Sequence, residues 1–258
     1  MADYTPKAPL EIQKSHTKDA IKERINKGVK HSYLKDFIYG AIDGTVTTFA
    51  VVAGAEGASF SSIVVVVLGI ANLIADGFSM AVSNYLGTRA EEEMKDKAEK
   101  EEKYHLEVIP EGEREEIRQI FKSKGLSGEP LEKVVDAITS DKDLWLKTML
   151  QEEIGLSLSP VSPLKAALVT FTAFVLIGFF PLSVYLMQMY LQVNFEHAFY
   201  WSSALTALTF FAIGSIKSYF VEMPWYRSGM QTLLIGGMAA LLAYLLGIII
   251  KGTLPVSL

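Results

Sequence analysis

Long apolar segments dominate the pattern of hydrophobic and polar positions along this chain. Five segments show it: 37–58, 62–88, 164–191, 198–221 and 229–250. Each is long enough for a helix to cross a hydrocarbon core of ~30 Å, which takes about 20 residues. Pro181 lies inside the third segment and predicts a kink there. The pattern therefore predicts an all-α membrane protein with five transmembrane helices.

The second apolar segment continues into a charged stretch without a helix breaker. No proline lies between Pro9 and Pro110, so one helix can run from about Ser62 to Leu106. At 1.5 Å per residue it would be on the order of 65–70 Å long, twice the thickness of a bilayer core, and its charged half must project into water. Three short amphipathic segments follow and predict a small helical domain packed against this extension: 113–124, 131–138 and 144–154.

The chain is thus predicted to have four parts. They are a basic segment (1–36), two transmembrane helices (37–88), an acidic insert (89–160) and three transmembrane helices (161–258). In the first part, isoleucines recur among lysines at loosely helical spacing, as is typical of a helix on a membrane surface. A disordered basic tail is the alternative interpretation.

Charge is unevenly distributed and predicts the orientation in the membrane. The formal net charge is −5, but residues 1–36 carry eight Lys and Arg against five Asp and Glu, whereas 89–165 carry 13 against 19. The predicted loops between the first two spans and between the third and fourth contain no Lys or Arg. Because basic residues favour the cytosolic side, we expect a cytosolic N-terminus, a cytosolic insert and a C-terminus on the far side.

A carboxylate lies well inside each of the first two apolar segments. Asp43 lies in the first and Asp76 in the second, and a carboxylate at membrane depth usually faces a partner, a cavity or an ion. Asn72, Asp76 and Met80 recur every four residues, and so share one helix face. Oxygen and thioether ligands there indicate a path for a divalent cation, for which protons would compete. The alternative is that Asp76 bonds a neighbour such as Asn72 and Met80 simply packs.

Gly40 and Gly44 form a small-xxx-small pair beside Asp43. Such a pair permits the close approach of another helix. If this face met its own copy in a homodimer, two Asp43 side chains would converge on one axis.

The insert offers a second set of possible metal ligands. With no cysteine in the chain, a metal site must use oxygen, nitrogen or thioether ligands. Side chains spaced three or four residues apart on successive predicted helices suit such a site: Glu99, Glu102, His105, Glu113, Glu116, Met149 and Glu153. Their arrangement is similar to that of carboxylate di-metal bundles. A solvated acidic face is the alternative.

Two stretches make the chain resemble the vacuolar iron transporter family, including its bacterial members. They are YGAIDGTVTTFAVVAGA in the first span and ANLIADGFSMAVSNYL in the second, and the resemblance extends over about 34–258. It implies five transmembrane helices per subunit, a homodimer with the ion path at the subunit interface, and a cytosolic metal-binding domain. It also implies proton-coupled export of Fe²⁺ and related divalent ions from the cytosol.

The resemblance assigns roles to some residues and reveals departures at others. It implies a membrane site with Asp43 and Met80, and a cytosolic site made by Glu102, Glu113, Glu116, Met149 and Glu153. The family's second span has a Glu where this chain has Asn72, and Asp76, one turn away, offers a replacement charge. His105 stands where the family has a Glu, and Leu150 where a second Met is common. An added imidazole and fewer carboxylates can shift the preference among divalent ions.

The sequence thus predicts a transporter and not an enzyme. It would carry Fe²⁺, with Mn²⁺, Co²⁺ and Zn²⁺ as further candidates, in exchange for protons, as a homodimer without a prosthetic group or a nucleic-acid partner. The membrane would be the cell membrane in a prokaryote and the vacuolar membrane in a eukaryote. The alternatives are an Mn²⁺-preferring exporter, a metal sensor or channel, and a membrane-anchored di-iron oxidase. The oxidase is disfavoured because such sites usually use two Glu-x-x-His pairs, and the insert has one histidine.

Overall fold

The computed structural model describes residues 9–27, 31–191, 197–219 and 223–253, and over these ranges the chain forms helices and no strand. The helices are α1 (Pro9–Ser15), α2 (Lys18–Lys27), α3 (Leu34–Gly57), α4 (Ser62–Val108), α5 (Pro110–Ser123), α6 (Gly128–Thr139), α7 (Lys142–Glu152), α8 (Pro163–Gly178), α9 (Phe180–Leu191), α10 (Ala198–Lys217) and α11 (Trp225–Thr253). The predicted all-α class is confirmed for the described residues.

Four of these helices are long and apolar enough to cross a membrane: α3, α4, α10 and α11. Helices α8 and α9 meet the same criterion only together, and they are bent by 50° at the break between Gly178 and Phe180. The predicted kink is therefore confirmed, with Pro181 in the first turn of α9. The described residues thus give four candidate spans, or five if the bent pair is one span, and the five-span layout stays a prediction.

The chain divides into two compact units. The membrane unit contains the N-terminal residues to Lys27, 32–86 and 162–258. Among the described residues, the second unit contains His31 and 87–161, and so corresponds mainly to the insert. Helix α4 belongs to both, and its observed end at Val108 is close to the predicted Leu106 because Pro110 begins the next helix.

Close packing in the membrane unit centres on glycines of α3. A Cβ at Gly40 would lie 2.2 Å from the carbonyl oxygen of Thr170, and one at Gly44 would lie 2.4 Å from that of Phe174. Both partners belong to α8 of the same chain. The close contact that this glycine pair permits is therefore made within the chain and not with a second copy.

The insert has a hydrophobic core of its own. Three amphipathic helices, α5 to α7, contribute its buried residues: Ile117, Leu131, Val135, Ile138, Trp145 and Met149. Leu106, near the end of α4, packs against them. The three predicted amphipathic helices and their packing on the extension of α4 are confirmed.

The N-terminal segment is helical over Pro9–Ser15 and Lys18–Lys27. Over these residues it is therefore not the disordered tail of the alternative interpretation. Val29, an apolar residue that continues the spacing of the segment's isoleucines in the sequence, lies outside the described residues.

Candidate metal sites

Polar side chains of α3 and α4 face each other in the membrane unit. Asp36, Asp43 and Thr47 are spaced seven and four residues apart, which places them on one face of α3. Only residues 58–61 separate the two helices, so α4 runs back along α3 and meets its polar positions in reverse order.

We call these facing polar residues of α3 and α4 the polar ladder. Hydrogen bonds join the two helices at both of its ends. At one end, Nδ2 of Asn72 donates to Oγ1 of Thr47 at 3.3 Å. At the other, Nδ2 of Asn84 donates to Oδ1 of Asp36 and to Oγ1 of Thr170, both at 2.8 Å. The bonded pairs come from α3, α4 and α8, and so these polar side chains hold three helices of the membrane unit together.

Asp43 and Asp76 lie between these two bonded ends. Their carboxylates are close enough to interact electrostatically. Among the residues that the structure describes, Asp76 makes no hydrogen bond or ion pair, and Asn72 bonds Thr47 instead. The alternative that Asp76 is satisfied by Asn72 is therefore wrong. Two like charges within this range repel each other, and a bound proton or cation would reduce the repulsion.

Met80 is half-buried and packs against the apolar cluster that includes Leu73 and Phe174. This contact agrees with the packing interpretation of the methionine. Its role as a ligand stays a prediction.

Two further carboxylates were missed by the sequence interpretation. Asp36 is only 9 % exposed, and it was left out because the first span was predicted to begin one residue later. Its position two helical turns before Asp43 was a usable signal. Glu56, near the other end of α3, accepts a hydrogen bond from Oη of Tyr185 at 3.5 Å.

A compact carboxylate cluster lies in the insert. Glu102 of α4, Glu113 of α5 and Glu153 at the end of α7 each place a ligand oxygen within 4.8 Å of the others. Glu102 is 4 % exposed and Glu113 is 2 % exposed. One oxygen of each, Oε1 of Glu102 and Oε2 of Glu113, is buried without a hydrogen-bond partner. Buried acceptors without donors are costly, and a bound cation would satisfy them.

Helix patterning explains how these carboxylates come together. Glu113 lies one turn before Ile117, and Glu153 lies one turn after Met149, which is 0 % exposed. The core residues that pack α5 and α7 together therefore bring both glutamates towards α4. Met149 itself belongs to this core.

Mutual repulsion accompanies this burial. Burial, a hydrogen bond with Glu113 and the neighbouring negative charges raise the pKa of Glu102 to about 8. The pKa values of Glu116 and Glu153 are also raised, first by burial and then by the charge of Glu113. A proton is therefore retained in this cluster near neutral pH, in a place where a metal ion could replace it.

The other predicted ligands of the insert lie at different distances from this cluster. Nδ1 of His105 is 3.6 Å from Oε1 of Glu113 and 4.0 Å from Oε2 of Glu102, so the imidazole borders it. Glu116 is exposed and forms a hydrogen bond with Glu153. Glu99 does not belong to the cluster, and its Oε1 instead accepts a hydrogen bond from Nζ of Lys103 at 2.5 Å.

Most remaining acidic residues of the insert form surface ion pairs. Examples are Glu93 with Arg89, Glu101 with Lys97, and Glu132 with Arg118. The glutamates of these ion pairs differ from those of the cluster, which have no Lys or Arg within salt-bridge distance among the described residues.

We expect the metal-free protein to lose stability as the pH rises. The folded state keeps the Glu102 proton up to about pH 8, whereas the unfolded chain releases it near 4.5. Between these values unfolding releases a proton, so the free energy of unfolding falls with increasing pH. Glu102→Gln should flatten this slope and raise the Tm at pH 8 by at least about 2 °C. Thermal unfolding of both proteins in EDTA, from pH 5 to 8.5, measures how the Tm depends on pH.

Glu101→Gln is the control for this measurement, since Glu101 is the exposed neighbour of Glu102 and pairs with Lys97. It should leave the slope unchanged. If Glu102→Gln and the parent protein show the same slope, Glu102 does not retain the proton.

Comparison with known proteins identifies one family and several similar proteins. The model of the VIT family matches residues 34–248. A vacuolar iron transporter of Toxoplasma gondii is 32 % identical over 225 residues, covering 85 % of this chain and 74 % of that protein. Vacuolar iron transporter 1 of Arabidopsis thaliana is 31 % identical over 219 residues, covering 84 % and 86 %. A vacuolar iron transporter of Plasmodium falciparum is 29 % identical over 238 residues, covering 89 % and 86 %.

Proposed function

This chain belongs to the VIT family, and on that premise we propose that it transports Fe²⁺ and related divalent transition-metal ions across a membrane in exchange for protons. The observation that supports this best is the pair Asp43 and Asp76, two carboxylates within two candidate spans that are close enough to interact electrostatically. Carboxylates at such a depth are expensive unless a cation or proton neutralises them.

Exchange follows from the chemistry of this pair. A carboxylate pair at membrane depth accepts either protons or a divalent cation, since both reduce the repulsion. Proton arrival on one side would release the metal, and proton loss on the other would allow metal binding. Asn72 and Met80 would complete the ligand shell with an amide oxygen and a thioether.

The exposed position of Asp76 supports a homodimer. In the single chain its side chain is exposed, although Asn72 and Met80, one turn before and after it on α4, are partly buried. Apolar side chains can face lipid, but a carboxylate there cannot without a large cost. A second copy placed against this face would enclose Asp76 and complete a path between the subunits.

The insert would capture metal ions before transport. Its cluster supplies the oxygen ligands of Glu102, Glu113 and Glu153, and His105 adds a nitrogen beside them. Carboxylate and imidazole ligands suit Fe²⁺ and Mn²⁺ as well as Zn²⁺. On the positive-inside rule, the insert and the N-terminus would be cytosolic, and so transport would be export from the cytosol.

Reconstitution into liposomes tests this function. With a metal-sensitive dye inside and an imposed pH gradient, we expect entry of Fe²⁺ and Mn²⁺ together with proton movement in the opposite direction. Asp76→Asn should lower the initial rate at least about tenfold, the smallest loss expected for a residue that touches the metal. Asp96→Asn, the same change in the water-exposed part of α4, is the control.

The alternatives give different results in this assay. A sensor moves no metal under any gradient. A channel conducts metal, but at a clamped voltage a pH gradient alone drives no net flux through it. A rate in Asp76→Asn equal to that of the parent protein would remove Asp76 from the path.

A further inference from the structure

The side chains of α2 (Lys18–Lys27) are sorted by charge around the helix axis. At about 100° per residue, one sector of α2 contains two isoleucines flanked by three cations. Its members are Ile21, Ile25, Lys18, Lys22 and Arg24. The opposite side contains both acidic residues of the helix, Asp19 and Glu23. Such a sector is typical of a helix that lies in a membrane interface and not of one with a purely solvated surface.

The described residues of the chain cover the apolar part of this sector only in part, since Ile21 is half-buried and Ile25 is exposed. Ile25 is 71 % exposed, and Ile12, on the preceding helix α1, is 41 % exposed. Exposure of these isoleucines to water is unfavourable, whereas burial among acyl chains removes their apolar surface from water.

Chain length keeps α2 close to the bilayer. Helix α2 ends at Lys27, and the candidate span α3 begins at Leu34. The six residues between them can reach about 20 Å even when fully extended. Helix α2 is therefore always within reach of the membrane surface on the side where α3 begins.

We propose that α2 lies on this surface and binds anionic phospholipids. Ile21 and Ile25 insert between the acyl chains, while Lys18, Lys22 and Arg24 reach up to the headgroup phosphates on either side of them. Asp19 and Glu23 then face the water. Each basic side chain near an anionic surface contributes about fivefold to binding. This inference does not depend on the proposed transport function.

Single labels on the full-length protein test the placement, since the chain contains no cysteine. Ile25→Cys and Asp19→Cys, each carrying an environment-sensitive fluorophore, report the two sides of α2. In vesicles of phosphatidylcholine with about 30 mol % phosphatidylglycerol, acrylamide should quench the label at position 25 at least about fivefold less than that at position 19. Acrylamide is uncharged, so the vesicle charge does not bias the comparison.

A change of lipid and a change of the protein each test whether this contact depends on charge. Replacing phosphatidylglycerol by phosphatidylcholine, or combining Lys18→Gln, Lys22→Gln and Arg24→Gln, should abolish most of the difference between the labels. About 0.5 M salt should weaken it, because charges near the surface are screened. The control, Asp19→Asn with Glu23→Gln, should keep the Ile25 label shielded. Equal quenching of both labels in anionic vesicles overturns the proposal, and so does shielding that is the same in neutral and anionic vesicles.

Discussion

Asp43→Asn should abolish metal transport while the protein still folds. The substitution keeps the size of the side chain but removes the charge that neighbours Asp76 in the middle of the polar ladder. A divalent ion would then meet one carboxylate instead of two. An amide also cannot take up a proton when the metal leaves. We expect a loss in the initial rate of uptake into liposomes of at least about 100-fold, the upper end of the losses seen when the surroundings of a metal are altered.

A matched change on the same helix separates this effect from helix damage. Glu56→Gln also converts a half-buried carboxylate of α3 to its amide, but Glu56 contacts Tyr185 and lies off the face that bears Asp43. It should keep most of the flux. Elution on size exclusion and the thermal midpoint should be the same in both variants. Parent-like flux in Asp43→Asn would refute the assigned role of Asp43.

Glu102→Gln combined with Glu113→Gln should eliminate high-affinity metal binding by the insert. These two glutamates are the most buried members of the cluster, and each has an oxygen without a hydrogen-bond partner. Loss of a single supporting group already costs about 10–100-fold in affinity, so loss of two direct ligands should exceed this. Calorimetric titration of the full-length protein with Mn²⁺, which does not oxidise readily, measures it.

The control for this titration is Glu101→Gln combined with Glu107→Gln. Both residues are exposed on α4 beside the cluster, and the double change removes the same formal charge. If the control weakens binding as much as the cluster variant, the affinity reflects only the general negative potential. If neither variant weakens binding, the metal-binding role of the insert is wrong.

Sequence periodicity was sufficient for the helices. The extended α4 was predicted as Ser62–Leu106 and is observed as Ser62–Val108, because apolar periodicity, the absence of proline and the following Pro110 all act locally. The three helices of the insert and the bend beside Pro181 were predicted for the same reason.

Side-chain partners were predicted less well, because they depend on which helix packs against which face. Glu99 and Glu102 lie one turn apart and were predicted to act together. In the structure α5 approaches α4 where Glu102 lies, whereas Glu99 turns to Lys103, one turn along. Similarly, the glycine pair beside Asp43 could have packed against a second copy of the chain. In the structure it is α8 of the same chain that packs against these glycines.

The sequence by itself determined the helical class, the apolar segments, the acidic insert and most of the carboxylates that could hold a metal ion. All of these follow from residue type and spacing along one helix. Only the tertiary structure decided that Asp36 joins Asn84 and Thr170, that Asp43 comes within electrostatic range of Asp76, and that three glutamates converge in the insert. Such contacts join residues up to 134 positions apart in the chain, and no local pattern encodes the register between packed helices.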